Sequence, residues 1–306
     1  MMNDLLFRPI TPEAREEITS FTLHSYGQIC DLAFANLYGW AVKYETSYCI
    51  SDETLFIRFT SPQRAHPAYL VPILREEGCV SQAILRLRET AEAGNYPLVL
   101  MGVTPLCRER LEAFCPHAFT FLESEGNADY IYLREKLVTL SGKALQSKRN
   151  HVNKFEKSYD YTFEPITGEN AMECMALEQT WLREHGSEAD GEDKEEEVIH
   201  RLLTHFEELQ LSGGILRVEG KIVAFTIGSP INETTFGVHI EKARRDYDGA
   251  FTMINKLFAA TIPEQYTYVN REEDLGIEGL RQAKLSYKPE IILPKIAAIL
   301  RHECNE

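Results

Sequence analysis

The stretch from Gly214 to Glu241, GILRVEGKIVAFTIGSPINETTFGVHIE, decides the fold. It contains three apolar segments of strand length, which are Gly214–Val218, Lys221–Gly228 and Thr234–Glu241. Gly220 marks a tight turn between the first two segments. Strands that follow one another at such short intervals pair as neighbours in a sheet. This stretch therefore predicts an antiparallel meander.

Helical patterns flank this meander on both sides. The flanking segments are the helices Glu169–His185 and Glu195–Leu211 before it, and the loop Arg244–Ala250, the helix Phe251–Thr261, the strand Tyr266–Asn270 and the helix Gly276–Ser286 after it. Helices, meander, loop, helix and strand is the element order of an acetyltransferase-like domain. The second half of the chain is therefore expected to form one such domain.

The first half shows a comparable alternation of helices and strands. Its predicted elements are a helix in Phe21–Trp40, a hairpin of Tyr48–Ile50 and Thr54–Phe59 turning at Ser51–Glu53, the helix Val80–Ala93, the strand Leu98–Val103, the helix Pro105–Phe114, the strand Asp129–Tyr132 and a connecting helix in Leu137–Tyr159. The chain has 306 residues, more than one compact core usually holds. We therefore expect an α/β (α+β) protein of two tandem domains, residues 1–140 and 161–306, joined by a helix at 141–160.

The composition excludes several classes of protein. No apolar run approaches the roughly 20 residues that cross a bilayer. The seven cysteines include no C-x-x-C pair, which favours reduced thiols and a cytoplasmic location, and no spacing of Cys and His indicates a metal site. The net charge of −15 argues against general nucleic-acid binding.

The charge is unevenly distributed along the chain. The segment Glu184–Glu197 has eight acids and one lysine, so it carries nearly half of the net negative charge. By contrast, the connecting helix contains a basic segment that could meet phosphates, which consists of Lys143, Lys148, Arg149, Lys154 and Lys157. A solvated helix face is the alternative interpretation of this segment.

Three segments carry a resemblance to a known family. They are LSGKALQSKRNHVNKF at 140–155, VHIEKA at 238–243 with Gly249-Ala250-Phe251, and VNREEDLGI at 269–277 running on to GLRQAK at 279–284. In these segments the chain resembles the phosphatidylglycerol lysyltransferase C-terminal domain family. The resemblance implies two tandem GNAT-like (acyl-CoA N-acyltransferase-like) domains, similar to those of Fem-type transferases that use aminoacyl-tRNA. It implies transfer of an aminoacyl group, although this sequence lacks the membrane-embedded part of the lipid-modifying enzymes, so a phosphatidylglycerol acceptor does not follow.

The connecting helix offers three candidate substrate-binding residues. At helical spacing Leu145, Val152, Phe155 and Tyr159 share one face, Lys148 falls within that apolar face, and Arg149 lies at its edge. A charge in such a position needs a partner, either a carboxylate of the protein or a ligand phosphate. Asn150 is the weaker candidate beside them.

The loop that follows the meander is a candidate donor-binding site. A helix N-terminus binds phosphates through its backbone N–H groups, so Arg244, Arg245, Gly249 and Ala250 are predicted to contact a donor. The loop has one glycine and lacks the usual acetyltransferase spacing, which weakens the case for coenzyme A. An ordinary helix-capping loop is the alternative.

Two residues of the last meander strand are candidate catalytic bases. His239 and Glu241 are two positions apart, so regular alternation would put them on one face of the strand. Acyl transfer needs a group that removes the proton of the nucleophile and groups that stabilise the carbonyl oxygen.

The end of the following strand has the richest set of polar residues, where ligand sites of α/β proteins gather. The candidate substrate-binding residues there are Asn270, Arg271, Glu272, Asp274, Arg281 and Lys284. Their cations could hold a phosphate or carboxylate while their acids order the cations or contact an amine. A network of ion pairs within the protein is the alternative.

The leading functional hypothesis is an acyltransferase that moves an aminoacyl or similar acyl group onto an amine or hydroxyl by direct attack. The donor is expected to be aminoacyl-tRNA or acyl-CoA, and no metal is expected. The rival hypotheses are a non-catalytic protein that binds an anionic ligand in the same fold, and a coenzyme A-dependent N-acetyltransferase.

Overall fold

The computed structural model describes residues 5–61, 64–75, 80–178 and 194–301. It has the expected mixed α/β architecture, with two sheets covered by helices. The elements of the first half are β1 Arg8–Pro9, α1 Arg15–Thr22, α2 Phe34–Gly39, α3 Ala41–Tyr44, β2 Ser47–Ser51, β3 Thr54–Phe59, β4 Ala68–Leu70, β5 Ile73–Leu74, α4 Val80–Ala93, β6 Val99–Val103, α5 Pro105–Phe114, β7 Phe119–Leu122, β8 Asp129–Leu133 and α6 Arg134–Thr139.

The second half supplies the remaining elements. They are α7 Gln146–Ser158, β9 Tyr161–Pro165, α8 Glu195–Thr204, β10 Ser212–Val218, β11 Lys221–Pro230, β12 Thr235–Ala243, α9 Ala250–Thr261, β13 Tyr268–Asn270, α10 Glu278–Leu285, β14 Ile291–Leu293 and β15 Ile296–Leu300. The predicted meander is confirmed as β10, β11 and β12. No helix in the described ranges is long and apolar enough to cross a membrane.

The two sheets each contain a strand from the other half of the chain. The order of the first is β1-β2-β3-β4-β6-β15-β7, with β5 on β3, and the order of the second is β14-β8-β13-β12-β11-β10-β9. Strand β15 lies between β6 and β7 and pairs antiparallel with both, while β8 pairs with β13 and β14. The domain limits at residues 140 and 160 stay a prediction, and the sheets exchange strands across them.

The hydrophobic core also joins the two halves. One cluster of buried residues combines Phe21, Leu37 and Leu55 with Val198 and Ile240, so the helices of the first half pack against the second sheet. A second cluster lies between the second sheet and helices α7 and α9, and includes Phe155, which is fully buried. Burial of this apolar surface stabilises both sheets as one unit.

Two predicted helices are interrupted. The helix expected in 21–40 ends at Thr22, and an irregular segment with Gly27 precedes α2. The connecting helix is divided into α6 and α7, because Leu140 and Gly142 adopt positive φ angles of 51° and 88° that end a right-handed helix. The helix predicted at 169–185 is described only as far as residue 178, and most of the acidic segment 184–197 lies outside the described residues.

The cysteine prediction is only partly correct. Cys30, Cys49, Cys107 and Cys174 are free thiols, as expected. Cys115, however, is disulfide-bonded, which contradicts the expectation of a fully reduced set. The disulfide removes part of the support for a reducing compartment.

Candidate active site

The second sheet opens between its two parallel strands. Strands β12 and β13 pair only at Thr235–Tyr268, Phe236–Val269 and Gly237–Asn270, where β13 ends, whereas β12 continues to Ala243. Beyond Gly237 this edge of β12 faces no strand in the described part of the chain. Its main-chain N–H and C=O groups on this edge have no neighbouring strand to pair with, and we call this gap between the two strands the cleft.

A β-bulge lies in β12 beside this cleft. The register between β11 and β12 shifts from Ile227–Ile240 to Gly228–Val238, so His239 is the extra residue. Val238 consequently packs in the second core cluster and Ile240 in the first. The prediction that His239 and Glu241 share a face is wrong, because the bulge interrupts the regular alternation.

The two side chains accordingly have different neighbours. The side chain of His239 is 1% exposed and contacts Ser229 and Glu272. The residue as a whole is 9% exposed, so its main chain is the part that solvent reaches. Glu241 accepts hydrogen bonds from Asn255 of α9, at 3.1 Å, and from Arg271, at 2.7 Å. Glu241 and Arg271 thus bridge the cleft.

Arg271 packs against the rings of two tyrosines. Its guanidinium carbon is 4.7 Å from the ring centroid of Tyr287 and 5.6 Å from that of Tyr132. Glu241 holds one guanidinium nitrogen, whereas the other, Nη1, is buried without a hydrogen-bond partner in the described structure. A buried donor without an acceptor costs free energy, so this nitrogen is suited to an incoming anionic oxygen.

Two lysines lie beside Arg271. Lys148 of α7 lies 4.0 Å from the centroid of Tyr287, and Lys284 of α10 donates to the main-chain oxygen of Arg271. Burial, reinforced by the charge of Arg271, lowers the pKa of each lysine to about 8. We call Lys148, Arg271 and Lys284 the cationic cluster. Glu241 is the carboxylate that acts on Lys148 and Arg271, whereas Glu272 and Glu273 act on Lys284. Arg271, with its unbonded Nη1, and the neighbouring lysines can stabilise an anion or a developing oxyanion.

Three other predicted residues stabilise the loop after β13. Asn270 is fully buried and donates to Asp129 and to the main-chain oxygen of Gln28, both at 2.8 Å. Asp274 accepts from Arg281 at 2.7 Å and from Tyr130 at 2.6 Å. The hydrogen bond from Arg281 is the main cause that lowers the pKa of Asp274 to about 2. These contacts connect the site loop to the rest of the second sheet.

The remaining candidates of the connecting helix lie outside the cationic cluster. Arg149 donates to the main-chain oxygens of Leu140 and Gly142, where α7 begins. Asn150 is exposed and accepts from Gln146 at 3.0 Å. Of the three predicted connector residues, the structure thus brings only Lys148 to the cleft.

The predicted donor loop precedes α9 and is bordered by acids. Arg244 pairs with Asp246 at 2.7 Å, Arg245 is exposed, and Asp248 contacts Lys154. Gly249 has a φ of 92°, and a Cβ there would lie 2.7 Å from the main-chain oxygen of His151, so α7 packs directly on this glycine. Ala250 is buried as the first residue of α9. The loop therefore offers little open positive surface at its glycine.

A buried cluster that the sequence did not reveal adjoins the site loop. The ammonium of Lys295 lies 2.6 Å from Asp31 and 3.1 Å from Asp129, and it also contacts Glu273. Ligand atoms of Cys30, Asp31 and Asp129 lie within 4.8 Å of one another, as in a metal site, but here Lys295 provides the positive charge. Its partners come from three distant parts of the chain, around residues 30, 129 and 273, so their spacing in the sequence did not indicate the cluster.

Tyr287, Tyr132 and Asn255 were also missed as site residues. Tyr287 lies just beyond the end of α10 and only three positions after Lys284, so its closeness to that lysine could be read from the sequence. Tyr132 and Asn255 reach the cleft from β8 and α9, and their approach depends on tertiary packing. The two helix-covered sheets, with a gap between the parallel strands of the second, agree with the expected tandem acyltransferase-like class of fold.

Comparison with known proteins agrees with this class. The sequence profile of the family described as phosphatidylglycerol lysyltransferase, C-terminal, matches residues 25–299. The chain belongs to this family. A match to an uncharacterized protein of Mycoplasmoides gallisepticum has 25% identity over 174 residues and covers 56% of each chain, so this chain spans little more than half of that relative.

Several solved structures are similar. A conserved protein of unknown function from Bacteroides thetaiotaomicron is 45% identical, with a TM-score of 0.93 over 97% of this chain and 100% of that one. L-PGS from Bacillus licheniformis is 18% identical, with a TM-score of 0.67 over 99% and 95%. A tandem GNAT protein from the clavulanic acid biosynthesis pathway is 11% identical, with a TM-score of 0.50 over 99% of each chain. The two latter likenesses establish the fold, two tandem GNAT-like units, and the family membership supports an acyltransferase type of function.

Proposed function

We propose that this protein is an acyltransferase that moves an aminoacyl or similar acyl group onto an amine or hydroxyl acceptor in the cleft between β12 and β13. The cationic cluster carries the proposal. Three cations from α7, α10 and the loop after β13 meet at the opening of the sheet, next to the main chain of His239, a residue that is 9% exposed. The arrangement matches the need of acyl transfer for groups that stabilise a developing oxyanion.

The proposed step is direct attack of the acceptor on the acyl carbonyl. The nucleophile loses its proton as its bond to carbon forms, and the negative charge on the carbonyl oxygen is stabilised by Arg271 and the border of β12. Lys148, whose pKa is lowered to about 8, can take up this proton in its neutral form. The carbonyl then re-forms as the C–O bond to the donor breaks, and the leaving alkoxide receives the proton and departs as an alcohol. Glu241 is committed to Arg271 and Asn255, which favours a role in orienting Arg271 over proton removal.

The donor is proposed to be an aminoacyl ester such as aminoacyl-tRNA rather than acyl-CoA. Asp246 and Asp248 at the start of α9 engage Arg244 and Lys154, so these two cations are already paired within the protein and are less available to a pyrophosphate. Packing of α7 against Gly249 also covers the loop. We place the reaction in the cytoplasm, where aminoacyl-tRNA is made. The acyl-CoA-dependent enzyme and the non-catalytic binding protein are the alternatives.

Ligand-induced stabilisation separates these alternatives. The purified chain is melted with acetyl-CoA, with uncharged tRNA, and with a non-hydrolysable aminoacyl-adenosine amide. The proposal expects the amide to raise the melting temperature and acetyl-CoA to have no effect. Stabilisation by acetyl-CoA alone would contradict the aminoacyl donor and support the acyl-CoA-dependent enzyme.

Turnover provides the second arm of the test. Loss of label from radioactive aminoacyl-tRNA is followed with amine and hydroxyl acceptors present. Arg271→Met is expected to slow transfer by at least about 100-fold, as loss of an oxyanion-stabilising donor does. The matched control is Lys154→Met, which removes an exposed cation of α7 outside the cluster and should leave transfer unchanged. Binding of the amide without any turnover would favour the binding protein.

A further inference from the structure

Ser229, His239 and Glu272 form a continuous hydrogen-bonded chain. Oγ of Ser229 lies 2.8 Å from Nε2 of His239, and Nδ1 of the same ring lies 2.9 Å from Oε1 of Glu272. A histidine with a serine hydrogen-bonded to Nε2 and a carboxylate hydrogen-bonded to Nδ1 has the arrangement of a nucleophilic Ser–His–acid triad. The three residues come from β11, β12 and the loop after β13, so the sequence order gives no hint of it.

The hydrogen-bond roles follow from the partners. An ionised carboxylate can only accept, so Nδ1 carries the proton and donates it to Glu272. Nε2 is then the acceptor, which receives the hydroxyl hydrogen of Ser229. Asn36 donates a second hydrogen bond, at 2.7 Å, to the same oxygen of Glu272 and fixes the carboxylate. The histidine is therefore already in the tautomer that removes a serine proton.

Two backbone features independently mark the same residues. His239 is the extra residue of the β-bulge, a feature that re-aims side chains beside active sites. Glu272 has a φ of 60°, in the left-handed region that a non-glycine residue adopts at a cost of about 1 kcal/mol. Its N–H donates to Oδ1 of Asn270 at 2.7 Å, which holds this conformation. The bulge thus orients the side chain of His239, and the positive φ orients that of Glu272, within the triad.

The triad lies across β12 from the cationic cluster. His239 packs on the side of the first core cluster, where Gly237 leaves room for its ring, whereas Glu241 and Arg271 face α9. The first half of the chain reaches the triad through Asn36, which donates to Glu272, and adjacent hydrogen bonds join Asn232 to Gly27 and Gln28 to Thr235. Ser229 is 6% exposed, which restricts its substrates to small acyl groups.

We propose that Ser229 is a nucleophile for small acyl esters, a second reactive site that is separate from the cleft of the proposed transfer reaction. Oγ of Ser229 bonds to the carbonyl carbon as its proton passes to Nε2 of His239. The ester C–O bond then breaks, and the leaving alkoxide takes that proton as an alcohol. Water attacks the acyl-serine in the same way, which releases the acid and restores the serine.

Active-site labelling with a small alkyl fluorophosphonate tests the proposal, because Oγ displaces fluoride and forms a stable P–O bond. Peptide mass spectrometry of the native chain is expected to locate the adduct at Ser229. His239→Gln should lower the rate of labelling by at least about 100-fold, and Glu272→Gln by a smaller factor. The readout requires neither tRNA nor acceptor, so it is independent of the transfer assay.

Controls separate reactivity from folding. Ser212→Ala removes an exposed serine of β10 in the same sheet and should leave labelling unchanged. Melting curves identify variants that fold, and only these are compared. A folded native chain without an adduct at Ser229 after prolonged exposure would refute the proposal. An adduct that forms equally fast in His239→Gln would refute it as well.

Discussion

Raising the pH from about 5 to about 7 is expected to destabilise this protein, because Glu273 binds a proton more tightly in the folded state. Burial, together with the carboxylates of Asp129 and Asp31, raises the pKa of Glu273 to about 7 from an ordinary value of 4.5, although Lys295 opposes the change. Between these two values the folded chain holds one proton that the unfolded chain has lost. Stability gained at low pH is therefore lost as the pH rises through about 7.

The size of the effect follows from that one proton. Each bound proton contributes about 1.4 kcal/mol per pH unit, so the loss over the interval is about 3 kcal/mol at most. Burial also raises the pKa of Asp129, which acts in the same direction. Urea denaturation at a series of pH values measures the free energy of unfolding directly.

The variant Glu273→Gln isolates this contribution. Its amide resembles the protonated carboxyl and does not titrate, so its stability should depend less on pH than that of the native chain. Glu135→Gln, at an exposed glutamate, is the matched control and should keep the native slope. Equal slopes for the native chain and Glu273→Gln between about pH 5 and 7 would refute the reasoning.

Three further predictions concern stability, measured by denaturation. Gly249→Ala should cost about 1–3 kcal/mol, because Gly249 has a φ of 92° and the added methyl would lie 2.7 Å from the main-chain oxygen of His151. The control Gly279→Ala adds a methyl with no atom within 4 Å and should change stability by less than about 1 kcal/mol. Equal costs for the two variants would contradict this account. Phe155→Ala should cost about 3–5 kcal/mol by opening a cavity in the second core, and a loss below about 1 kcal/mol would mean that this core is not closely packed. Lys295→Met should cost about 3–5 kcal/mol at pH 8 by leaving the surrounding carboxylates without a cation. The cost should be smaller at pH 5, below the raised pKa of Glu273 of about 7, and a cost independent of pH would contradict this interpretation.

The sequence predicted the elements whose signal is local. The meander β10–β12 and the hairpin of β2 and β3 were readable because alternation and turn residues lie next to each other, and Asp52 and Glu53 adopt the positive φ angles of a tight turn. The division of the connecting helix was not readable, because Leu140, an ordinary helix former, takes a left-handed conformation there. Packing at the start of α7 overrides its local preference.

The candidate site, like the fold, was predicted from the sequence only where the signal is local. Lys148, Arg271 and Lys284 were identified from charges at helical spacing and at the end of a strand, and the structure brings them together. The shared face of His239 and Glu241 was wrong, since a bulge depends on the partner strand and leaves no mark in one strand alone. The Lys295 cluster combines residues from both ends of the chain, which no local pattern can connect.

The exchange of β8 and β15 between the sheets determines the order in which the two halves of this protein can fold. Strand β7 joins the rest of the first sheet only through β15, so that sheet is incomplete until residue 300 has been synthesised. The amino-terminal half cannot finish folding on the ribosome ahead of the carboxyl-terminal half, as independent domains do. Cutting the gene at its midpoint would thus yield two fragments that each need the other to fold.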